Sequence, residues 1–155
     1  MKQRFYFDTS VFGGLFDIEF KDETSLLFDK VKSGEILCVY SNLTESELSN
    51  APERVRLFFE SIKDQEKEKV TVTQDALKLA QAYIEEKVVG ETSLDDCIHI
   101  ATATIHKVDL LVSWNFKHIV NIYRIRGYNS INLRLGYPTL EIQSPKEIVN
   151  NGSED

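Results

Sequence analysis

The chain has 155 residues, 42% of them hydrophobic, which suits one compact domain with a real core and leaves little room for a second. Charged residues make up 28% and sum to a formal net charge of −7, which taken alone argues against a general nucleic-acid binder. No window approaches the length of an apolar membrane span, and the opening Met1 to Phe7 runs into Asp8 too early for a signal peptide, so the expected setting is the cytoplasm, without a membrane.

Strand-like and helix-like segments alternate along the chain. Arg4 to Phe7 is a short aromatic strand. Thr24 to Lys32 carries Leu26, Leu27 and Val31 at helical spacing and stops before Gly34. Ile36 to Tyr40 is a continuous apolar run, the pattern of a strand buried on both faces. Ser41 and Asn42 can start the short helix Leu43 to Ser49, and Glu53 to Lys63 forms another helix. Val70 to Val72 reads as a strand, and Asp75 to Lys87 as an amphipathic helix with Leu77, Ala80 and Ile84 on one face. Ser93 is an N-cap for a helix with Asp95 and Asp96 in its first turn, continuing through Ile98, Ala101 and Ile105. Asp109 to Ser113 is a second buried strand. The next helical stretch is expected to start at Ser113 or Asn115 and to end near Gly127. Leu140 to Ile142 is a last strand, and Ser144-Pro145 starts a last helix. One domain over residues 1–149 is expected, with 150–155 as a polar, flexible tail. The two cysteines, Cys38 and Cys97, lie in apolar runs without a CxxC pair, which predicts buried thiols.

This alternation predicts an α/β fold, a three-layer α/β/α sandwich with a mainly parallel central sheet. Ligands in such sheets bind beyond the carboxyl ends of the strands. Asp8-Thr9-Ser10 follows the first strand, Ser41 to Leu48 follows the second, and Ser113-Trp114-Asn115 follows Leu110 to Val112. Asp95 and Asp96 stand at the start of the Ser93 helix, and Glu45 and Glu47 are rival acids after Ser41. Carboxylates gathered without a basic partner raise one another's pKa, and a divalent cation with oxygen ligands resolves the conflict. His99 could share a helix face with Asp95 or Asp96; its plain reading is a hydrogen-bonded histidine beside the core. Phe116 to Leu140 lacks acids but holds Lys117, Arg124, Arg126 and Arg134 among Phe116, Tyr123, Tyr128 and Tyr137. Such a segment can contact phosphates and stack bases, or be an ordinary solvated face. The motifs of serine hydrolases, dinucleotide folds and P-loops do not occur.

These residues resemble the PIN-domain family, the fold of VapC-type toxin nucleases. Phe7-Asp8-Thr9-Ser10-Val11 looks like its first motif, and Ser41 to Leu48 is similar to its second, in a register that selects Glu47 over Glu45. Asp96 to Ala103 looks like the third and Leu111-Val112-Ser113-Trp114-Asn115 like the fourth, where many members carry Asp in place of Asn115. The resemblance implies an endoribonuclease that uses Mg²⁺ or Mn²⁺. Asp8, Glu47 and Asp96 would hold metal, and Asn115 would complete the catalytic set. Thr9, Ser113 and Asp95 would orient these groups, and Lys117, Arg124, Arg126 and Arg134 would bind RNA. It also implies an antitoxin partner, as in VapBC pairs, and a homodimer. The alternative is a catalytically silent RNA- or protein-binding module of the same fold.

Overall fold

The computed structural model describes residues 2–87 and 92–151. Its sheet has five strands: β1 (Gln3–Phe7), β2 (Ile36–Ser41), β3 (Lys67–Val70), β4 (Leu110–Val112) and β5 (Ile142–Gln143). Their spatial order is β3-β2-β1-β4-β5, and every neighbouring pair is parallel. Eight α-helices connect and cover them: α1 (Thr9–Gly14), α2 (Lys21–Lys32), α3 (Asn42–Leu48), α4 (Glu53–Ser61), α5 (Gln74–Glu86), α6 (Leu94–Ile105), α7 (Ile122–Arg134) and α8 (Pro145–Asn151).

The strands alternate sides residue by residue, and this builds two cores. Tyr6, Val39 and Leu111 join residues of α5, α6 and α7 on one face. Phe5, Phe7, Cys38, Leu110 and Val112 join residues of α1, α2 and α8 on the other. Covering both faces is what a parallel sheet requires, and it explains the unbroken apolar run of β2. Strand order runs outward from β1 in both directions, so the topological switch point lies between β1 and β4, where such sheets bind ligands.

Several local expectations are corrected. The third strand is Lys67–Val70 and not Val70–Val72, because pairing with β2 from Cys38↔Lys67 to Ser41↔Val70 sets its register. It is an edge strand, where lysines are favoured. The buried face of α5 is Ala76, Leu79, Ala80 and Tyr83, while Leu77 is exposed. The helix expected from Ser113 or Asn115 begins only at Ile122, with Asn121 accepting from the backbone N–H of Tyr123 and Arg124. It runs through Gly127, since burial of Tyr128 and Ile131 outweighs the roughly 1 kcal/mol cost of one helical glycine. The last strand is Ile142–Gln143, and α8 extends to Asn151, past the expected start of the tail; residues 152–155 lie outside the described residues. Helix α1 was not marked by periodicity at all. Cys38 and Cys97 are free and buried.

Candidate active site

Asp8 leaves the end of β1 and is only 6% exposed. Its backbone N–H donates to the Val112 carbonyl of β4 at 2.9 Å, which pins it across the switch point. It is the N-cap residue of α1, yet its side chain does not cap that helix. Instead Oδ2 accepts from Ser10 Oγ at 2.7 Å and from Ser113 Oγ at 2.9 Å. Each serine is fixed in turn, Ser10 Oγ by the Trp114 N–H at 3.1 Å and Ser113 Oγ by the Asn115 N–H at 2.9 Å. Charge-assisted bonds of this kind set both the position and the rotamer of the carboxylate.

Helix α6 brings the second acid. Ser93 accepts from the Asp96 N–H, as its sequence position predicts, and Asp96 sits half-buried in the first turn. Asn115 Nδ2 approaches Asp96 Oδ2 at 3.4 Å, and Asn115 Oδ1 accepts from the His118 N–H at 2.9 Å. Burial first, and then the charge of Asp8, hold the Asp96 carboxyl above its ordinary 3.8. His118 Nδ1 is buried without a hydrogen-bond partner among the described residues and bears electrostatically on Asp96.

Glu47 is held apart by a histidine. His99, one turn after Asp96 on α6, is wholly buried. Its Nε2 lies 2.5 Å from Glu47 Oε1 and 3.9 Å from Asp8 Oδ1, and its Nδ1 lies 2.6 Å from Tyr6 Oη. Tyr6 Oη is also 2.8 Å from Ser41 Oγ, and Thr9 Oγ1 donates to Glu47 Oε1 at 2.7 Å. Burial alone would raise the Glu47 carboxyl, but the His99 bond and charge, with Thr9, bring it below its ordinary 4.5. Burial alone would lower the His99 imidazole, but the Glu47 bond and the charges of Asp8, Glu47 and Asp96 raise it above 6.5. A charged imidazole donates from both nitrogens, to Tyr6 and to Glu47.

The fold therefore gathers Asp8, Asp96, Asn115, Ser113 and Thr9 around one strand edge, with Glu47 joined to Asp8 through His99. Among the described residues no group of three His, Cys, Asp or Glu side chains is disposed to hold a metal ion, a difference from the three-acid set read in the sequence. Asp95 is exposed at the helix start, and Glu45 pairs with Lys69 at 2.7 Å on the surface. Of the basic residues, Lys117 and Arg126 are exposed, and Arg124 donates to Thr92 Oγ1. Arg134 forms a two-bond pair with Glu86 across α5 and α7. Tyr128 is core, its hydroxyl bonded to the His118 carbonyl, and so offers no stacking face. Sequence reasoning gave Tyr6 and Ser10 no role and read His99 as a hydrogen-bonded histidine beside the core, which is where it lies. For Tyr6 strand parity was the available signal, since it stands two residues before Asp8 and both address His99 of α6.

The model of the PIN domain family matches residues 5–118. Among solved structures the chain is similar to VapBC of Salmonella typhimurium bound to DNA, with 19% identity and a TM-score of 0.57 over 94% of this chain and 99% of that one. It is similar to VapBC2 of Rickettsia felis bound to a promoter DNA fragment, with 12% identity and a TM-score of 0.57 over 92% and 98%. It is also similar to Mycobacterium tuberculosis VapC20, described as a Sarcin-Ricin loop cleaving toxin, with 13% identity and a TM-score of 0.55 over 88% and 98%. At these identities the likeness is one of fold. No curated protein sequence matches the chain. No helix among the described residues is long and apolar enough to cross a membrane.

Proposed function

The chain belongs to the PIN-domain family, and from that premise we propose that it is an endoribonuclease dependent on Mg²⁺ or Mn²⁺. One observation carries the reading: a buried Asp8 carboxylate at the switch point is linked through Ser113 and Asn115 to Asp96, whose carboxyl burial and then the charge of Asp8 hold above its ordinary value. Folding tolerates such like-charge pairs at a cost, and a divalent cation relieves it. The donor set suits a hard cation, because Asp8 and Asp96 offer carboxylate oxygens and Asn115 an amide.

Asp8 and Asp96 would hold the ion, with Glu47 acting through water. A bound Mg²⁺ or Mn²⁺ supplies an acidified water and offsets charge on the phosphate. The residues of the chain do the positioning. Ser10 and Ser113 keep Oδ2 of Asp8 occupied, so that Oδ1 would be the oxygen to hold the ion. Thr9 and His99 keep Glu47 ionised and aimed from α3, where it would accept a hydrogen bond from a water in the site. Asn115 ties the Asp96 side to the Ser113 side. Lys117, Arg124 and Arg126 would draw the strand in; Arg134 is already paired with Glu86. On the same premise an antitoxin protein is the proposed partner, in a homodimeric cytoplasmic assembly.

The test is cleavage of single-stranded and structured RNA with Mn²⁺ or Mg²⁺, beside EDTA controls, together with thermal stability titrated with Mn²⁺. The expected result is metal-dependent cutting and a rise in Tm, both lost in Asp8→Asn and in Asp96→Asn. A folded protein that neither cuts RNA nor responds to either metal would return the silent binding module.

A further inference from the structure

Beside the acidic site lies a second feature that metal chemistry does not use. A shallow cleft of ≈ 240 Å³ opens between the C-terminal end of α1 and the loop after β4. Two of its lining residues, Ser10 and Asn115, are the ones that bond to Asp8 and Asp96, so the cleft adjoins the reacting centre. Phe20 and Trp114 make its aromatic side, and Phe116 stands next to them outside the lining. Phe20 stacks on Trp114 with ring centroids 4.1 Å apart and planes at 19°, and Phe116 meets Trp114 at 5.9 Å and Phe20 at 6.3 Å. Trp114 is locked, its indole N–H donating to Thr24 Oγ1 at 2.9 Å, whereas Phe116 is 47% exposed. Gly13 and Gly14 line the cleft, and a Cβ on Gly13 would meet nothing within 4 Å. Asp17 lines it too, with Oδ1 accepting from the Glu19 N–H at 2.8 Å.

We propose that this cleft is a nucleobase subsite, which takes the base of the nucleotide next to the cleaved phosphate and prefers guanine. Its position rests on the ribonuclease reading; its chemistry does not. Single-stranded RNA is recognised by splayed bases that stack on aromatic side chains and bond through their polar edges. Trp114 is itself buried, so the part-exposed ring of Phe20, held against it, offers the stacking surface at little entropic cost, and a purine covers more of it than a pyrimidine. Asp17 presents only acceptors, which match the paired N–H donors of guanine and not the N1 acceptor of adenine. Phe16 and Ile18 flank this turn as exposed residues, so a strand can reach the cleft from solvent.

Trp114 is the one tryptophan in the chain, so its fluorescence reports on the cleft without any turnover. The experiment titrates the full-length protein with guanosine, adenosine and uridine 5′-monophosphates, and with inorganic phosphate alone, without added metal. A saturable change with the guanine nucleotide, weaker with adenine, weakest with uracil and absent with phosphate, supports the subsite. Gly13→Leu fills the cleft from an open position and should weaken the response by about 5- to 150-fold, the range of one lost stacking interaction, with no fall in Tm. Should Gly13→Leu misfold, Phe20→Ala, which removes a ring lining the cleft, gives the same comparison. Asp17→Asn should erase the preference for guanine over adenine. No saturable response, or an equal response in both cleft variants, overturns the proposal. Metal-dependent RNA cleavage without nucleotide binding sinks the subsite alone; nucleotide binding without cleavage sinks the ribonuclease reading alone.

Discussion

Glu47 and His99 form the pair with the clearest electrical consequence. The folded pKa of Glu47 lies below 4.5, so its contribution to stability is present above that value and is lost as pH falls through the lower folded one. The folded pKa of His99 lies above 6.5, so its contribution is complete below that value and is lost as pH rises through the higher folded one. The pair is therefore strongest between 4.5 and 6.5. The Tm difference between wild type and Glu47→Gln, followed against pH, should be widest there and shrink on both sides; a difference that is flat in pH would show the contact to be mere packing. Asp96 has the opposite sign. Its carboxyl is held above its ordinary 3.8, so its charge opposes folding at neutral pH. Metal-free Asp96→Asn should therefore melt slightly higher than wild type while losing the response to Mn²⁺, a trade of stability for function. A lower metal-free Tm would mean that Asp96 is structural.

At the scale of the element, α1 is a short helix whose two glycines do different things. A Cβ on Gly14 would come within 2.7 Å of both Thr24 Oγ1 and Trp114 Nε1. The close approach of α1 to Trp114 is thus possible only without a side chain, and it seats the aromatic wall beside the acidic site. Gly13 has open space around it. Gly14→Ala should cost roughly 1–3 kcal/mol as overpacking. Gly13→Ala should be neutral or stabilise by up to about 1 kcal/mol, as expected for a helical glycine. Chemical denaturation of both variants checks this, and equal effects would refute the distinction. Helix α6 shows the converse, a helix placed by its cap. Ser93 fixes the first turn, Asp96 follows from it, and His99 one turn later reaches Tyr6 of β1. The cap orients the acid and the core holds the base.

For the molecule as a whole, net charge sets the terms on which the proposed ribonuclease would bind RNA. A chain of formal charge −7 must gather phosphate through few cations, and Glu86 already occupies Arg134. With Lys117, Arg124 and Arg126 as the phosphate contacts, the slope of log K against log salt for single-stranded RNA should be about −2, at roughly −0.7 per contact. Fluorescence anisotropy across salt concentrations measures it. A slope several times steeper would require a further basic surface, supplied by a partner or a second copy. The two cores on opposite faces of the sheet explain how such a chain keeps a buried acidic site. The apolar faces hold β1 and β4 in register by Phe5↔Leu110 to Phe7↔Val112, and that register sets Asp8 opposite Ser113.

The sequence by itself determined the alternation of strands and helices, the apolar run of β2, the Ser93 and Ser144 helix starts, and the acids that follow β1 and β2 and open α6. These depend on neighbours in the chain: periodicity, capping and strand ends are local, and local order survives in the letters. Only the tertiary structure decided what depends on pairing and burial. The register of β3 comes from its partner strand, and the late start of α7 comes from the loop in which Asn115 binds His118. The buried face of α5 comes from the core it meets, and the loss of Arg134 to Glu86 from a contact across 48 positions. The insertion of His99 between Asp8 and Glu47 is of the same kind. It joins residues 52 positions apart, and no pattern along the chain encodes that His99 is wholly buried while Glu47 stays half-exposed. Local free energy writes the elements; the long-range burial of polar groups, each needing its own partner, chooses which of them meet.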